Sequence, residues 1–518
     1  MSDVEGNYIL AHDLGTTGDK AVLYDRECEL QASHFYGYET LYPRPNWVEQ
    51  DPVEWWEAVK SSTAKLLAQT AVSPDQIAAV GFSGQMMGCL PVDREGNPLR
   101  KAIIWADQRA VKEAAGLKER VGSGEIYRTT GHRGSASYSA AKIMWIKEHE
   151  PDLFRRTNKF LQAKDFVIFK LTGKFRTDYS DASGTNLFDL EGKAWSSSIL
   201  RGAGITEEKL PQPLPSTEIV GTVLPDAAEE TGLDPATPVV IGGGDGSCAA
   251  VGAGVTGKGE AYNYLGSSSW IGLATEKPIY DEGRRTFNWV HLDPEKYSPC
   301  GTMQSAGGSL QWAKENLAQL ESAAGELLER EPYNLIDLQA EKSPAGAKGL
   351  LFLPYLLGER APRWNPNARG SFIGLTPRHK KGDIFRAILE GVCLNLRVIL
   401  EIFQKGGARI EEMRLIGGGA KSDLWPQIMA DVLGKPVLPM HYLEEATSLG
   451  AAIAAGVGVG LFPGFEEVGG RLKVRKRLEV DPGRHELYDE LFQIFEKSYC
   501  SLEQVFDQIA QLQEEDFE

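Results

Sequence analysis

The chain has no C-x-x-C pair, and its six cysteines, Cys28, Cys89, Cys248, Cys300, Cys393 and Cys500, are scattered. Scattered thiols offer no zinc site and fit a reducing compartment. No apolar run reaches the length of a membrane span. The opening MSDVEGNYIL lacks the basic and apolar regions of a signal peptide, so a cytoplasmic location is expected. Positive charge is also in short supply: 55 Lys and Arg stand against 72 Asp and Glu, a net charge of −17. A nucleic-acid scaffold needs a basic face, which this balance excludes. No His and Glu stand at zincin spacing, and there is no Walker A loop, because Lys421–Ser422 follows Ala420 where that motif has glycine.

At 518 residues the chain exceeds what one hydrophobic core can hold, so two large domains are expected, 1–254 and 255–518. Near the middle, at 239–255, lies VVIGGGDGSCAAVGAGV. Its apolar start reads as a buried strand, and its glycines open space around Asp245 before a small-residue helix. A carboxylate at the end of a strand stands where α/β sheets carry chemistry. Capping of the following helix is the plainer role for it. Gly244-x-Gly246-x-x-Ala249 formally matches a dinucleotide fingerprint, but it comes too late in the chain to open a Rossmann unit.

Two strand–turn–strand segments flank that stretch. The first turns at Gly15–Thr16–Thr17–Gly18 and the second at Gly266–Ser267–Ser268. Each presents hydroxyls and backbone amides that can cradle phosphate oxygens. Their repetition predicts an internal duplication with one phosphate turn per domain and a nucleotide between the halves. Asp13, just before the first turn, could hold a hydrated Mg²⁺. Gln85, Asp107 and Arg109 stand at strand ends, the profile of a site for a hydroxyl-rich ligand. Asp178, Asp181 and Asn186 read as part of a polar loop in preference to a metal site. The stretch 199–238 reads as proline-rich loop, and 356–377, rich in Gly, Pro and Arg, as a long loop near an opening. Asp51, Pro52 and Glu54 predict a helix start, with Val53, Trp56, Val59, Leu66 and Leu67 inward. Helical spacing is clearest over 383–404, ended by Gly406–Gly407. A strand, glycine turn and helix follow at 413–433, and a small-residue helix at 447–460.

Seven ordered segments together resemble the FGGY family of carbohydrate kinases: DLGTTGDK at 13–20, GFSGQMMG at 81–88, WADQR at 105–109, the helix at 137–149, GGGDG at 242–246, the turn at 266–268 and GGGAKSDLW at 417–425. The resemblance implies an α/β fold of two actin-like, ribonuclease H-like ATPase domains around a central cleft. It implies ATP and Mg²⁺ as cofactors and a small sugar as substrate. Asp245 falls on the family's catalytic base and Asp13 on the acidic residue near the metal. Thr16, Thr17 and Lys20 fall on the first phosphate turn, Gly266 and Ser267 on the second. Gly307 and Gln311 fall beside the nucleotide, and Gly418, Gly419 and Ser422 on the adenosine pocket. Gln85, Met86, Met87, Asp107 and Arg109, with Asp245, fall on the sugar side. GFSGQM and WADQR look most like xylulokinases, so phosphorylation of D-xylulose is expected, with a gluconate- or polyol-directed kinase as the alternative. Xylulokinases commonly carry Met–His where this chain has Met86–Met87, and methionine cannot hydrogen-bond a hydroxyl as imidazole does. An actin-like ATPase interaction module is the alternative of another class. A homodimer is compatible with the resemblance.

Overall fold

The structure, a computed structural model, describes residues 6–515; the opening five residues, part of the leader reading, lie outside them. Two six-strand paths organise the chain. In the first sheet, β1 (Tyr8–Leu14), β2 (Gly18–Asp25) and β3 (Leu30–Gly37) form an antiparallel meander. β4 (Ile77–Gly84) lies parallel to β1, and β6 (Pro238–Val240) parallel to β4, with β5 (Ile219–Thr222) on the far edge. The two-residue β7 (Gly243–Gly244) continues beside the end of β4. In the second sheet, β8 (Ala261–Leu265) and β9 (Ser269–Leu273) form the hairpin, and β10 (Phe287–Val290) and β11 (Tyr297–Met303) extend it. β12 (Met413–Ile416) and β13 (Val437–Pro439) add in parallel on the other side.

Read from the third antiparallel strand, β3-β2-β1-β4-β6 repeats as β11-β9-β8-β12-β13. The duplication expected from the two turns is thus a duplication of sheet topology. Both sheets fit the actin-like α/β class that the family resemblance implies.

The helices follow from local chemistry and from what each face meets. Asp51 caps α1 (Pro52–Gln69) by accepting the Val53 amide at 3.0 Å. Glu54 does not close a capping box; it accepts the Glu39 amide at 3.0 Å. Val53 is exposed, and Trp55 takes the buried place instead, donating to Gln50 Oε1 at 3.0 Å. The stretch 199–238, expected as loop, contains the helices Ser197–Ala203 and Pro225–Thr231 and the strand β5. These elements are too short to show periodicity and are fixed by packing; Pro225 opens its helix at N1, where proline costs no hydrogen bond. The long helix Lys381–Lys405 extends the expected span by a few residues and buries most of its surface in the second core. No helix among the described residues is long and apolar enough to cross a membrane.

The two halves meet along a seam of small residues. The helix that begins at Asp245, α4 (Asp245–Gly252), lies against α8 (Ala446–Gly458); α2 (Ala163–Thr172), α3 (Tyr179–Ser183), α5 (Gly307–Leu317), α6 (Lys381–Lys405) and α7 (Trp425–Leu433) complete the set used below. A Cβ on Gly252 would stand 1.8 Å from the Ala446 carbonyl oxygen, and one on Gly450 1.9 Å from that of Cys248. Only glycine lets these backbones touch. α8 also packs on the first sheet, where Gly81 leaves room for the Ala451 carbonyl.

Candidate active site

The glycine turn after β6 aims Asp245 into the space between the halves. Gly242 has φ 67°, and a side chain there would overlap the Phe82 carbonyl. Gly244 leaves the place of a Cβ to the Met86 side chain. Gly244, not Asp245, is the N-cap, and Asp245 is the first helical residue. Its Oδ1 accepts the Gly246 amide at 2.7 Å. The residue is half-buried. Burial pushes its carboxyl up to about 7, the charge of Asp13 adds to this, and the Gly246 amide opposes both.

Asp13, next to the last residue of β1, belongs to the same sheet: it pairs with Ser83 of β4, which Gly243 of β7 flanks on its other side. Its two oxygens accept Ser83 Oγ at 2.8 Å and Thr447 Oγ1 at 2.5 Å. Burial raises its pKa, and those hydroxyls counter the rise. Neither partner is marked in the sequence: Ser83 lies next to the end of β4, and Thr447 comes from the first turn of α8, hundreds of residues on.

The first turn is braced from behind. Tyr38 Oη donates to the Gly15 carbonyl at 2.5 Å, Gln50 Nε2 to that of Thr16 at 2.6 Å, and Trp105 Nε1 to Thr16 Oγ1 at 3.0 Å. Thr17 is exposed, and Lys20 reaches the Glu444 carbonyl at 3.3 Å, across the cleft. In the second turn the carbonyls of Gly266 and Ser267 accept the amides of Gly307, Ala306 and Gly308 at 2.8–2.9 Å. This docks the N-terminus of α5 on the turn, and a Cβ on Gly307 would lie 2.5 Å from the Gly266 oxygen. Gln311, one turn along α5, is exposed and donates to Glu315 at 2.9 Å. Gly417 and Gly419 pack on Leu265 with no room for side chains, and Gly418 is open to solvent. Ser422 Oγ accepts the amide of Trp425, the first residue of α7, at 2.9 Å and donates to Asp337 Oδ2 at 2.6 Å. Both line or adjoin a cavity of about 870 Å³ that includes Asp337, Lys421, Asp423 and Gln427. Burial pushes Asp337 up to about 6, and no motif marked it in the sequence.

On the other side of Asp245, Met86 packs with Tyr138, Phe287, Trp289 and Cys300, and Met87 lies against this cluster with φ 64°. Lys142 donates to the Met87 carbonyl at 2.8 Å; burial pushes its ammonium down to about 7. Gln85 is buried and spends its amide on Gln50 Oε1 at 2.7 Å, leaving its own Oε1 unpartnered.

Two expectations change here. Asp107 and Arg109 do not open on the cleft. Asp107 is fully buried; it accepts the Val48 amide at 2.6 Å and pairs with Arg109 Nη2 at 2.7 Å. Arg109 also pairs with Glu49 at 2.8 Å and lies 3.8 Å over the Trp47 ring. A buried ion pair needs such partners, and these two take them from the protein, bracing the loop behind Trp105. Asp178 and Asp181 are likewise not in a polar loop. They lie in a buried strand, Arg176–Asp178, and in α3, around the ammonium of Lys164, and Asn186 is buried nearby, donating to Thr130. Lys164, on the preceding helix, supplies the charge that allows their burial.

Residues 8–252 match the N-terminal domain of the FGGY family of carbohydrate kinases, and residues 261–459 match its C-terminal domain. The chain belongs to the FGGY family of carbohydrate kinases. It is 33% identical over 494 residues to a xylulose kinase of Bacillus subtilis, covering 95% of this chain and 96% of the relative. It is 34% identical over 510 residues to a gluconokinase of the same organism, covering 98% of each. A solved xylulose kinase from Lactobacillus acidophilus superposes with a TM-score of 0.89 at 29% identity, covering 97% of this chain and 99% of that one. The FGGY assignment therefore fixes a carbohydrate kinase, while relatives acting on a neutral sugar and on a sugar acid stand equally near.

Proposed function

We propose that this FGGY kinase transfers the γ-phosphoryl group of ATP to a primary hydroxyl of a small open-chain sugar, with D-xylulose the first acceptor to test. The observation that carries the reading is the half-buried Asp245 carboxylate, its pKa about 7, on a rigid glycine turn between two phosphate-type hairpins. A general base works best with a pKa near the working pH. Asp245 takes the proton of the acceptor hydroxyl as its oxygen bonds to the γ-phosphorus. The bond from that phosphorus to the bridging oxygen breaks, and ADP leaves.

The residues suit the nucleotide. The amides of Thr16, Thr17, Ser267 and Ser268 have no protein acceptor among the described residues, and the α5 N-terminus adds its positive end beside the second turn. Lys20, whose ammonium rests 3.3 Å from the Glu444 carbonyl and 3.7 Å from the Glu445 carboxylate, would turn from these partners to the phosphates. Gly307 and Gln311, with Gly418, Gly419 and Ser422, would border the nucleoside. Asp13 would hold Mg²⁺ through its waters, and the ion would neutralise charge on the phosphates.

One observation favours a second acceptor class, a sugar acid. Arg360 lies on the loop 356–377, and its guanidinium makes no hydrogen bond or ion pair among the described residues; it stands 6.0 Å from the Trp364 ring. Its charge reaches His132, Tyr138 and Cys300, beside Met86. His132 is pushed down to about 3 by burial, with Arg360 adding to the fall. A carboxylate on the acceptor would give that guanidinium a partner. The test is ADP release with D-xylulose, D-gluconate and simple polyols, in wild type and Arg360→Met. If the acceptor is the acid, the variant loses roughly 10- to 150-fold in kcat/KM for gluconate, one charged hydrogen bond. If D-xylulose is turned over and gluconate is not, the neutral-sugar reading holds; turnover of no carbohydrate would sink both.

A further inference from the structure

Beneath the turn that carries Asp245 lies a buried ion cluster that the proposed chemistry does not use. The ammonium of Lys164, in α2, stands 3.1 Å from Asp165 Oδ1, 3.1 Å from Asp178 Oδ1 and 3.6 Å from Asp181 Oδ2. All four side chains are at most 1% exposed. Burial pushes the Asp165 and Asp181 carboxyls up, and Lys164 only partly offsets it. Burial also works against the Lys164 ammonium, but the three carboxylates together outweigh it and keep it charged.

The second oxygen of Asp178 faces the turn. Oδ2 accepts the Ser180 amide at 2.8 Å, Ser180 Oγ at 2.5 Å and Ser216 Oγ at 2.9 Å. A hydroxyl has one proton, so donation to Asp178 leaves Ser180 Oγ as an acceptor. It accepts the amide of Gly244, at 2.9 Å, the residue before Asp245. The fit is close on both sides. A Cβ on Gly243 would stand 2.8 Å from Ser180 Oγ, and one on Gly84 2.9 Å from Lys164 Cβ. Three successive glycines have wide conformational freedom, and something must hold them in one shape. The chain Lys164–Asp178–Ser180–Gly244 does so with buried, directional bonds.

We propose that Lys164, Asp178 and Ser180 are positioning residues that fix the Gly242–Gly244 turn and, through it, the direction of the Asp245 carboxylate. The inference rests on the reading of Asp245 as the base. Ser216 supplies the control: its hydroxyl also donates to Asp178 Oδ2, and its own link to the turn is a backbone carbonyl, which accepts the Gly242 amide at 3.0 Å and is kept in an alanine variant.

The experiment compares Ser180→Ala with Ser216→Ala in the full chain. Amide exchange is followed in the peptide that spans Gly243–Ser247, without any acceptor. Turnover is measured with whichever of D-xylulose and D-gluconate is the better acceptor, beside Asp245→Asn. Ser180→Ala is expected to speed exchange at Gly244 and to lower kcat roughly 10- to 100-fold, as for a base displaced by a fraction of an ångström, with KM for ATP unchanged. Ser216→Ala, which loses a comparable buried bond, is expected to shift the melting temperature similarly but to leave exchange at Gly244 and kcat as in wild type. With Asp245→Asn inactive, unchanged exchange in Ser180→Ala, or an equal loss of kcat in the two serine variants, overturns the inference alone. Should Asp245→Asn keep its turnover, the assignment of the base fails, and this inference with it.

Discussion

At Asp245 burial and the charge of Asp13 pull the same way, and the one amide that favours the carboxylate does not balance them. Its carboxyl therefore changes charge at about pH 7. A base acts only when unprotonated, so kcat/KM for the acceptor should fall about tenfold per pH unit below that value and level off above it. Asp245→Asn should lower kcat roughly 10²- to 10⁴-fold, while calorimetry shows ATP binding retained, because the turns that would hold phosphate lie elsewhere. A variant keeping a tenth of wild-type turnover would reject the assignment. Asp107 sets the contrast. Its carboxylate is sealed against Arg109 and the Val48 amide, so Asp107→Ala should act on stability and not on acceptor KM. Removing one partner of a buried pair typically costs about 3–5 kcal/mol; Arg109 keeps Glu49, which points to the lower end. Urea unfolding checks the loss, and an unchanged midpoint with a raised acceptor KM would return Asp107 to the sugar site.

At the level of elements, the contact between α5 and the second turn is backbone against backbone. Gly307→Ala puts a methyl 2.5 Å from the Gly266 carbonyl oxygen, where no flexible side chain can move away. The turn and the helix must part, at a cost of about 1–3 kcal/mol, and the expected result is a higher KM for ATP with little change in acceptor KM. Kinetics with the acceptor held saturating would measure it, and an unaltered KM for ATP would separate α5 from the nucleotide. The same contrast explains what could be read beforehand. Both hairpins, the long helix Lys381–Lys405 and the small-residue helix Ala446–Gly458 carry their own signal in turn residues, period or composition. The short strands and helices between Ser197 and Thr231 do not, since three to seven residues show no period and their shape comes from packing. The acidic residues of 177–189 looked like a solvated loop because their counter-ion, Lys164, lies on the preceding helix and only the fold brings it near. Thr447, Ser83 and Asp337 were hidden for the same reason: a hydroxyl or carboxylate is marked by its partner, and theirs are tertiary.

For the whole molecule, the duplicated sheets put one phosphate-type turn on each side of a cleft, and water in that cleft would compete with the acceptor for the phosphoryl group. Exclusion of water requires the halves to approach. The seam between α4 and α8 suits such a motion. Its glycines let the two backbones touch, and the side chains packed around that contact are small or aliphatic, Cys248 and Val251 from α4 with Leu449, Ala451 and Ala452 from α8, so a small shift of one helix on the other displaces no large group. Gly254 and Gly259, with φ 79° and 83°, give the connection into β8 the same freedom. The seam is also tied to the chemistry at both ends: α4 begins with Asp245, and Thr447, in the first turn of α8, donates to Asp13. On the proposed reading, a ligand that binds at either carboxylate would pull directly on one of these two helices. Small-angle scattering should show a smaller radius of gyration with acceptor and a non-hydrolysable ATP analogue together than with either alone, since only both ligands bridge the halves. An unchanged radius at saturating concentrations of both would mean that the cleft already excludes water in the free protein, and the glycine seam would then serve close packing and not motion.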